Sequence, residues 1–279
     1  MLKKLLKYDF GAVIKLWSLG ALAVLLLSAG GGLCMRILSS DRPFHGMINL
    51  VAGLGTFLSV LSVVAFSILT FILLAMRYYK NFFTDEGYLT FTLPVKLHTV
   101  INSKLIMVFV MLVLTGIVTS LSSTIMRAIG DEYFVENMKD FFAGLGSFFQ
   151  LAEEAGMLGW AIVYVIEALL IMFFSSLFSV LFLGCCITFG SVVAKKAKVL
   201  ASIGIYYGAN WIFSVVTMIF MVFGMMAFGA WVDGANLSDQ QIAQLVGLLL
   251  FGIIALLGML SSLLYTLQYR LLDRKLNLP

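Results

Sequence analysis

Six apolar runs, each long enough to cross a bilayer, constrain this chain more than any other feature: Leu16–Leu38, Met47–Met76, Val100–Met126, Met157–Ala194, Val199–Ala230 and Ile242–Leu267. A helix rises 1.5 Å per residue and a bilayer's hydrocarbon layer is about 30 Å thick, so about 20 apolar residues make one crossing. Backbone polar groups find no water at that depth, and a helix satisfies them within its own segment. The sequence therefore predicts an all-α, polytopic integral membrane protein with six transmembrane helices, forming a single transmembrane domain over residues 1–279. With 62% hydrophobic residues, 11% charged residues and a mean hydropathy of +1.06, the composition excludes an ordinary soluble protein. The fourth run, at 38 residues, is too long for one simple crossing and too short for two with a turn between them. It reads as one tilted helix projecting beyond the bilayer, with Gly184 the place for a kink.

Residues 1–15 precede the first run and carry Lys3, Lys4 and Lys7. Leu2, Leu5, Leu6, Phe10, Val13 and Trp17 follow a helical period with those lysines off the stripe, which predicts an amphipathic interfacial helix. The run that follows is longer than a signal peptide's core and has no convincing cleavage site, so it reads as a retained span. Cys34, Cys185 and Cys186 all lie in apolar runs and read as small buried side chains.

Six crossings put both termini on one side, and charge placement chooses the side. That side collects 14 of the 18 basic residues, from Lys3, Lys4, Lys7 and Lys15 through Arg77, Lys80, Lys96 and Lys104 to Arg270, Arg274 and Lys275. The other side has only Arg36, Arg42, Arg127 and Lys139 but nine of the 14 acids. By the positive-inside rule both termini and the 77–99 segment are expected to be cytoplasmic.

The 77–99 segment is polar enough to interrupt two spans, yet holds six aromatics: Tyr78, Tyr79, Phe82, Phe83, Tyr88 and Phe91. Thr84 can cap a short helix with Asp85 and Glu86 in its first turn, where carboxylates face the positive helix end, and Pro94 stops it. Tyr88, Phe91 and Val95 recur at about helical spacing, with Leu89 and Leu93 beside them. Two readings follow: an interfacial turn whose aromatics rest at headgroup level, or a helix presented to a groove on a soluble partner.

The string RYYKNFFTDEGYLTFTLPVK, followed by Asn102-Ser103-Lys104, resembles the loop after the second span in bacterial ABC-2 type transporter permeases, most closely the small six-span permeases of Gram-positive anaerobes. The closing Asp273-Arg274-Lys275-Leu276-Asn277-Leu278 is similar to the ending of such permeases. Strong local similarity covers about thirty residues, and the remainder corresponds in span number and loop placement. The resemblance implies that residues 77–99 hold a cytoplasmic coupling helix, with Tyr88, Leu89, Phe91 and Leu93 docking an ATPase and Asp85 and Glu86 making polar contacts. It further implies a bacterial cell-membrane exporter whose partners are a cytosolic ABC ATPase subunit, a second permease copy and the lipid bilayer, with no nucleic acid. Such permeases do no covalent chemistry, so no catalytic residue is carried over.

The rest of the sequence is consistent with a chain that is not itself an enzyme. It contains no G-x-x-x-x-G-K-[ST] phosphate loop, so ATP and Mg²⁺ are expected on the partner ATPase and no cofactor on this chain. His45 and His98 fall on opposite membrane faces, which separates them as metal ligands. Serines in the spans have no base at comparable depth and read as helix contacts. Ser28-Ala29-Gly30-Gly31-Gly32, Gly53-x-Gly55 and the G-x-x-x-G spacing of Gly204 and Gly208 suggest close helix packing.

Glu167 is the one acid within an apolar run, and it reads either as lining a translocation path or as a structural group hydrogen-bonded to a neighbouring helix. In the outer segment 127–156, Phe134, Met138, Phe141 and Phe142 repeat at helical spacing before a Gly-rich break and Phe148-Phe149. This segment is either an interfacial helix or a lid over an exit. Ser238-Asp239-Gln240-Gln241 has the form of a capping box for the last helix. Two other function classes stay open from sequence: an ion-coupled secondary transporter using Glu167, and a non-transporting scaffold, immunity or sensor component.

Overall fold

The computed structural model describes residues 2–40, 46–83, 97–194, 198–234 and 237–275. Among them it forms seven helices: α1 (Leu2–Ser39), α2 (Gly46–Phe83), α3 (Leu97–Gly130), α4 (Phe134–Glu154), α5 (Leu158–Val193), α6 (Lys198–Gly234) and α7 (Asp239–Lys275). All except α4 are long and apolar enough to cross a membrane, which makes this a multi-pass membrane protein. Five of the expected runs lie inside one helix each, and the fourth coincides with α5 to within one residue at either end. The helices outrun those runs because backbone hydrogen bonding continues into flanking residues that are not themselves apolar. Thus α1 includes residues 2–15 without interruption, and α2 continues past Met76 to Phe83. At 36 residues α5 is about 54 Å long, well beyond the hydrocarbon thickness.

The chain divides into two compact units, Met1–Arg77 with Thr99–Gly146 and Tyr78–His98 with Ser147–Pro279. In the first unit, α1 buries one row of residues at three- and four-residue intervals: Asp9, Val13, Trp17, Ala21, Val24 and Ser28. Trp17 reaches α3, where its Nε1–H donates to Thr115 Oγ1 at 3.0 Å, and α2, where its ring lies 5.8 Å from that of Phe66. Farther along, small residues bring backbones together. A Cβ on Gly31 would overlap the Ser59 side chain, and one on Gly55 would fall 2.6 Å from the Cys34 sulfur.

In the second unit α5 packs on both α6 and α7. Tyr164 donates its hydroxyl to the Ala243 carbonyl at 2.7 Å, and Gly247 sits under the Trp160 ring. Gly190 meets Ser202 so closely that a Cβ would lie 2.6 Å from the Ser202 Cα, and the Ser202 hydroxyl donates to the Ile187 carbonyl at 3.2 Å. Gly204 and Gly208, the G-x-x-x-G pair, have open space where a Cβ would go, so the close contact on α6 is made by other residues. The expected capping box is present: Ser238 N–H donates to Gln241 Oε1 at 3.0 Å, and Gln241 N–H to Ser238 Oγ at 3.4 Å. The Gly-rich break expected after Phe142 is not, since α4 runs through Gly144 and Gly146. A mid-helix glycine costs only about 1 kcal/mol, too little to end this helix.

These contacts separate two glycines of the same sequence type. Gly190→Val should lower unfolding stability in detergent by roughly 1–3 kcal/mol through overpacking, while Gly204→Val should change it by less than about 0.5. Equal effects in a chemical-denaturation series would contradict the packing described for α5 and α6.

Candidate functional site

Residues 84–96 lie outside the described residues, and with them Asp85, Glu86, Tyr88, Leu89, Phe91 and Leu93, the docking face expected from sequence. The structure does describe how the chain enters and leaves that segment. On the entering side, Tyr78 and Phe82 stand one turn apart on α2, both buried, with ring centroids 5.0 Å apart. Gln268 on α7 donates its side-chain N–H to the Tyr78 hydroxyl, which lies 3.5 Å from Thr188 Oγ1 on α5. Thr188 spends its own hydroxyl hydrogen on the Gly184 carbonyl at 2.8 Å. The direction of the chain is thereby set: Gln268 donates to Tyr78, Tyr78 to Thr188, and Thr188 to Gly184. Hydrogen bonds linked in this way polarise one another in a low-dielectric interior. Gly184 is small for a visible reason, since a Cβ there would stand 2.9 Å from Gln268 Nε2.

On the leaving side, His98 lies in the first turn of α3. Its ring stacks on Tyr269 of α7 at 4.2 Å and 7°, and its Nδ1 lies 3.0 Å from the Tyr265 hydroxyl. Thr266, Arg270 and Asp273 complete an open groove of about 260 Å³ around this stack. The C-terminal turns of α7 therefore hold both flanks of residues 84–96, through Gln268 on one side and Tyr265 with Tyr269 on the other. Everything in this set belongs to the second unit.

The first unit carries a second polar cluster, immediately before Tyr78 in sequence. Asp9 of α1, 2% exposed, is 2.5 Å from Lys104 Nζ of α3 and 3.3 Å from Arg77 Nη2 of α2. A carboxylate is tolerated inside this unit because cations from two other helices meet both its oxygens.

Glu167 is buried in α5, with Oε2 unpartnered among the described residues. It stands 21 residues before Thr188 on the same helix, about 32 Å along the axis, so the structure does not bring it to the flanks of 84–96. Sequence reasoning did not single out Asp9, Tyr78, Gln268 or the His98 stack as a set. A signal existed for Asp9, a carboxylate four residues before Val13 and eight before Trp17 on the buried row of α1. Gln268 had a weaker one, seven residues after Ser261 and four before Leu272, both also buried.

No family model, no curated protein and no solved structure matches this chain.

The buried ion cluster is open to a double-mutant test. Asp9→Ala leaves Lys104 without this partner and should cost about 3–5 kcal/mol of unfolding free energy, whereas Asp9→Ala combined with Lys104→Met should recover at least half of it. Additive losses in the double variant would show that the two residues act independently.

Proposed function

We propose that this chain is the permease subunit of an ATP-driven ABC exporter in a bacterial cell membrane. Both termini and residues 84–96 face the cytoplasm in this reading, and two copies of the permease work with two copies of a separate cytosolic ATPase. The observation that carries it is the pairing of a motif with its mounting. RYYKNFFTDEGYLTFTLPVK resembles the coupling loop of ABC-2 type permeases, and the helix ends on either side of 84–96 are both held by the last turns of α7. A segment that receives a mechanical push is useful only if its ends are tied to elements that move with it. Tyr78 and His98 supply such ties to α5 and α7. ATP binding would close the partner's subunits, shift 84–96, and bias the spans between inward and outward access. The docking face is Tyr88, Leu89, Phe91 and Leu93, with Asp85 and Glu86 contributing polar contacts at its start.

Ion-coupled transport is a second reading, favoured by one observation: Glu167 is 8% exposed within a span and its Oε2 has no partner among the described residues.

The two readings separate in one set of preparations. Tagged wild type purified from its native host by gentle extraction should bring an ATPase chain with it and hydrolyse ATP, and Phe91→Ala should lose at least about tenfold of that association, the scale of a buried aromatic anchor. Wild type that emerges alone and gains no ATPase activity would overturn the exporter reading. For the second, Glu167→Gln should abolish gradient-driven uptake into reconstituted vesicles while leaving assembly intact; unchanged uptake would remove Glu167 from the mechanism.

A further inference from the structure

Helix α4 contributes nothing to any packed interior: none of its 21 residues is buried. Its sequence is nevertheless sorted by face. At 100° per residue, Met138, Phe141, Phe142, Leu145, Phe148 and Phe149 share one arc of about 120°. Glu136, Asp140, Ser147, Gln150 and Glu154 occupy the opposite side. With Phe134 also inside it, the arc holds five phenylalanines, a surface made for something apolar.

What covers it follows from how the helix is mounted. Only Asp131, Glu132 and Tyr133 link α3 to α4, and this link is hydrogen-bonded: Asp131 Oδ1 accepts from Tyr133 N–H at 3.0 Å, and its carbonyl from Phe134 N–H at 3.3 Å. The other end is closed by Gly156, whose φ of +67° is the left-handed conformation that a side chain disfavours. Met157 N–H donates to the Ala152 carbonyl at 2.7 Å, and Gly156 N–H to Glu153 at 2.9 Å, the two bonds of a Schellman closure. The Met157 carbonyl then accepts from Trp160 N–H at 2.9 Å, in the first turn of α5.

Three extended residues reach at most about 10 Å, so the start of α4 stays beside the end of α3 and its last turn beside the start of α5. Both of those helices are long and apolar enough to cross a membrane, and on the α4 side their apolar runs stop at Met126 and start at Met157, so each of those two ends lies at a bilayer surface. With five charged residues in its 21, α4 is too polar to be a span itself. A lid would turn its aromatic arc onto the protein, and none of the arc is buried against it.

We infer that α4 is a lipid-contacting helix lying in the bilayer interface, with Phe141, Phe142, Phe148 and Phe149 among the acyl chains, and that it takes electrically neutral headgroups in preference to anionic ones. The preference follows from charge. From Asp131 to Glu154 there are six acids and one base, Lys139. Helices that seek anionic lipid are rich in Lys and Arg on the polar face. Here an anionic surface would repel the polar face, so apolar burial alone supplies the attraction, and salt should not weaken it.

The test uses the full chain reconstituted in phosphatidylcholine vesicles, with tryptophan placed by Phe142→Trp or Phe149→Trp on the apolar arc and by Ala143→Trp or Ser147→Trp opposite it. Fluorescence is read as the difference from wild type, and each variant is checked for unchanged thermal unfolding. Brominated acyl chains should quench the first pair at least about twofold more than the second, and aqueous iodide should do the reverse. Iodide reaching positions 142 and 149 would mean that the arc faces water, and shielding from both quenchers would mean that a protein surface covers it; either overturns the inference. Replacing half of the lipid by phosphatidylglycerol should lower lipid quenching, and added salt, which screens the repulsion, should not lower it further. Equal or stronger quenching in anionic vesicles would contradict the headgroup preference.

Discussion

A polypeptide in hydrocarbon cannot leave its N–H and C=O groups unpaired, and that requirement dictates this structure before any side chain is considered. It explains why the apolar runs are all helices and why five of those helices extend past their runs. What it does not supply is a reason for helices to adhere, because lipid tails are as apolar as leucine. The protein answers with two devices. Small residues let backbones approach, as where Gly31 meets Ser59 and Gly190 meets Ser202. A few polar groups are joined across helices, as in Trp17 to Thr115, Tyr164 to Ala243, and Asp9 to Lys104.

Those polar links are unevenly distributed. The Asp9–Lys104–Arg77 cluster and the Gln268–Tyr78–Thr188–Gly184 chain involve consecutive residues of α2, Arg77 and Tyr78, in the last turns before residue 84. Every group there except the half-buried Arg77 has surrendered water, and such groups are stable only while their partners hold. Such bonding is worth most where a helix end must transmit displacement without fraying. This is why the mounting of 84–96, rather than any pocket in the spans, carries the functional proposal. Glu167 stands apart from it, a buried carboxylate with an open oxygen.

Much of this architecture was legible in the sequence. Run length gave the six spans, because the bilayer sets a minimum that chance rarely meets, and Ser238 with Gln241 gave a helix start that its reciprocal bonds fulfil. The G-x-x-x-G spacing of Gly204 and Gly208 did not mark the close contact made within the chain, because spacing fixes which residues share a face but not which face meets a neighbour. The Gly-rich stretch in α4 looked like a break, yet two glycines without a competing turn signal do not outweigh a continuous amphipathic pattern. The α7 groups around 84–96 were hidden for a different reason. Tyr78 and Gln268 are 190 residues apart, and no local pattern connects them.

The proposed coupling requires that residues 84–96 face the cytoplasm and meet a partner there. It is tested most directly by sidedness: Gly87→Cys, in cells of the native host, exposed to a membrane-impermeant maleimide before and after the membrane is opened. The native cysteines offer little background, since Cys185 and Cys186 are buried and Cys34 is half-buried within α1. A cytoplasmic segment should be labelled only after opening. Labelling of intact cells would put the segment on the outside, away from any cytosolic ATPase, and the proposed coupling would fall with it.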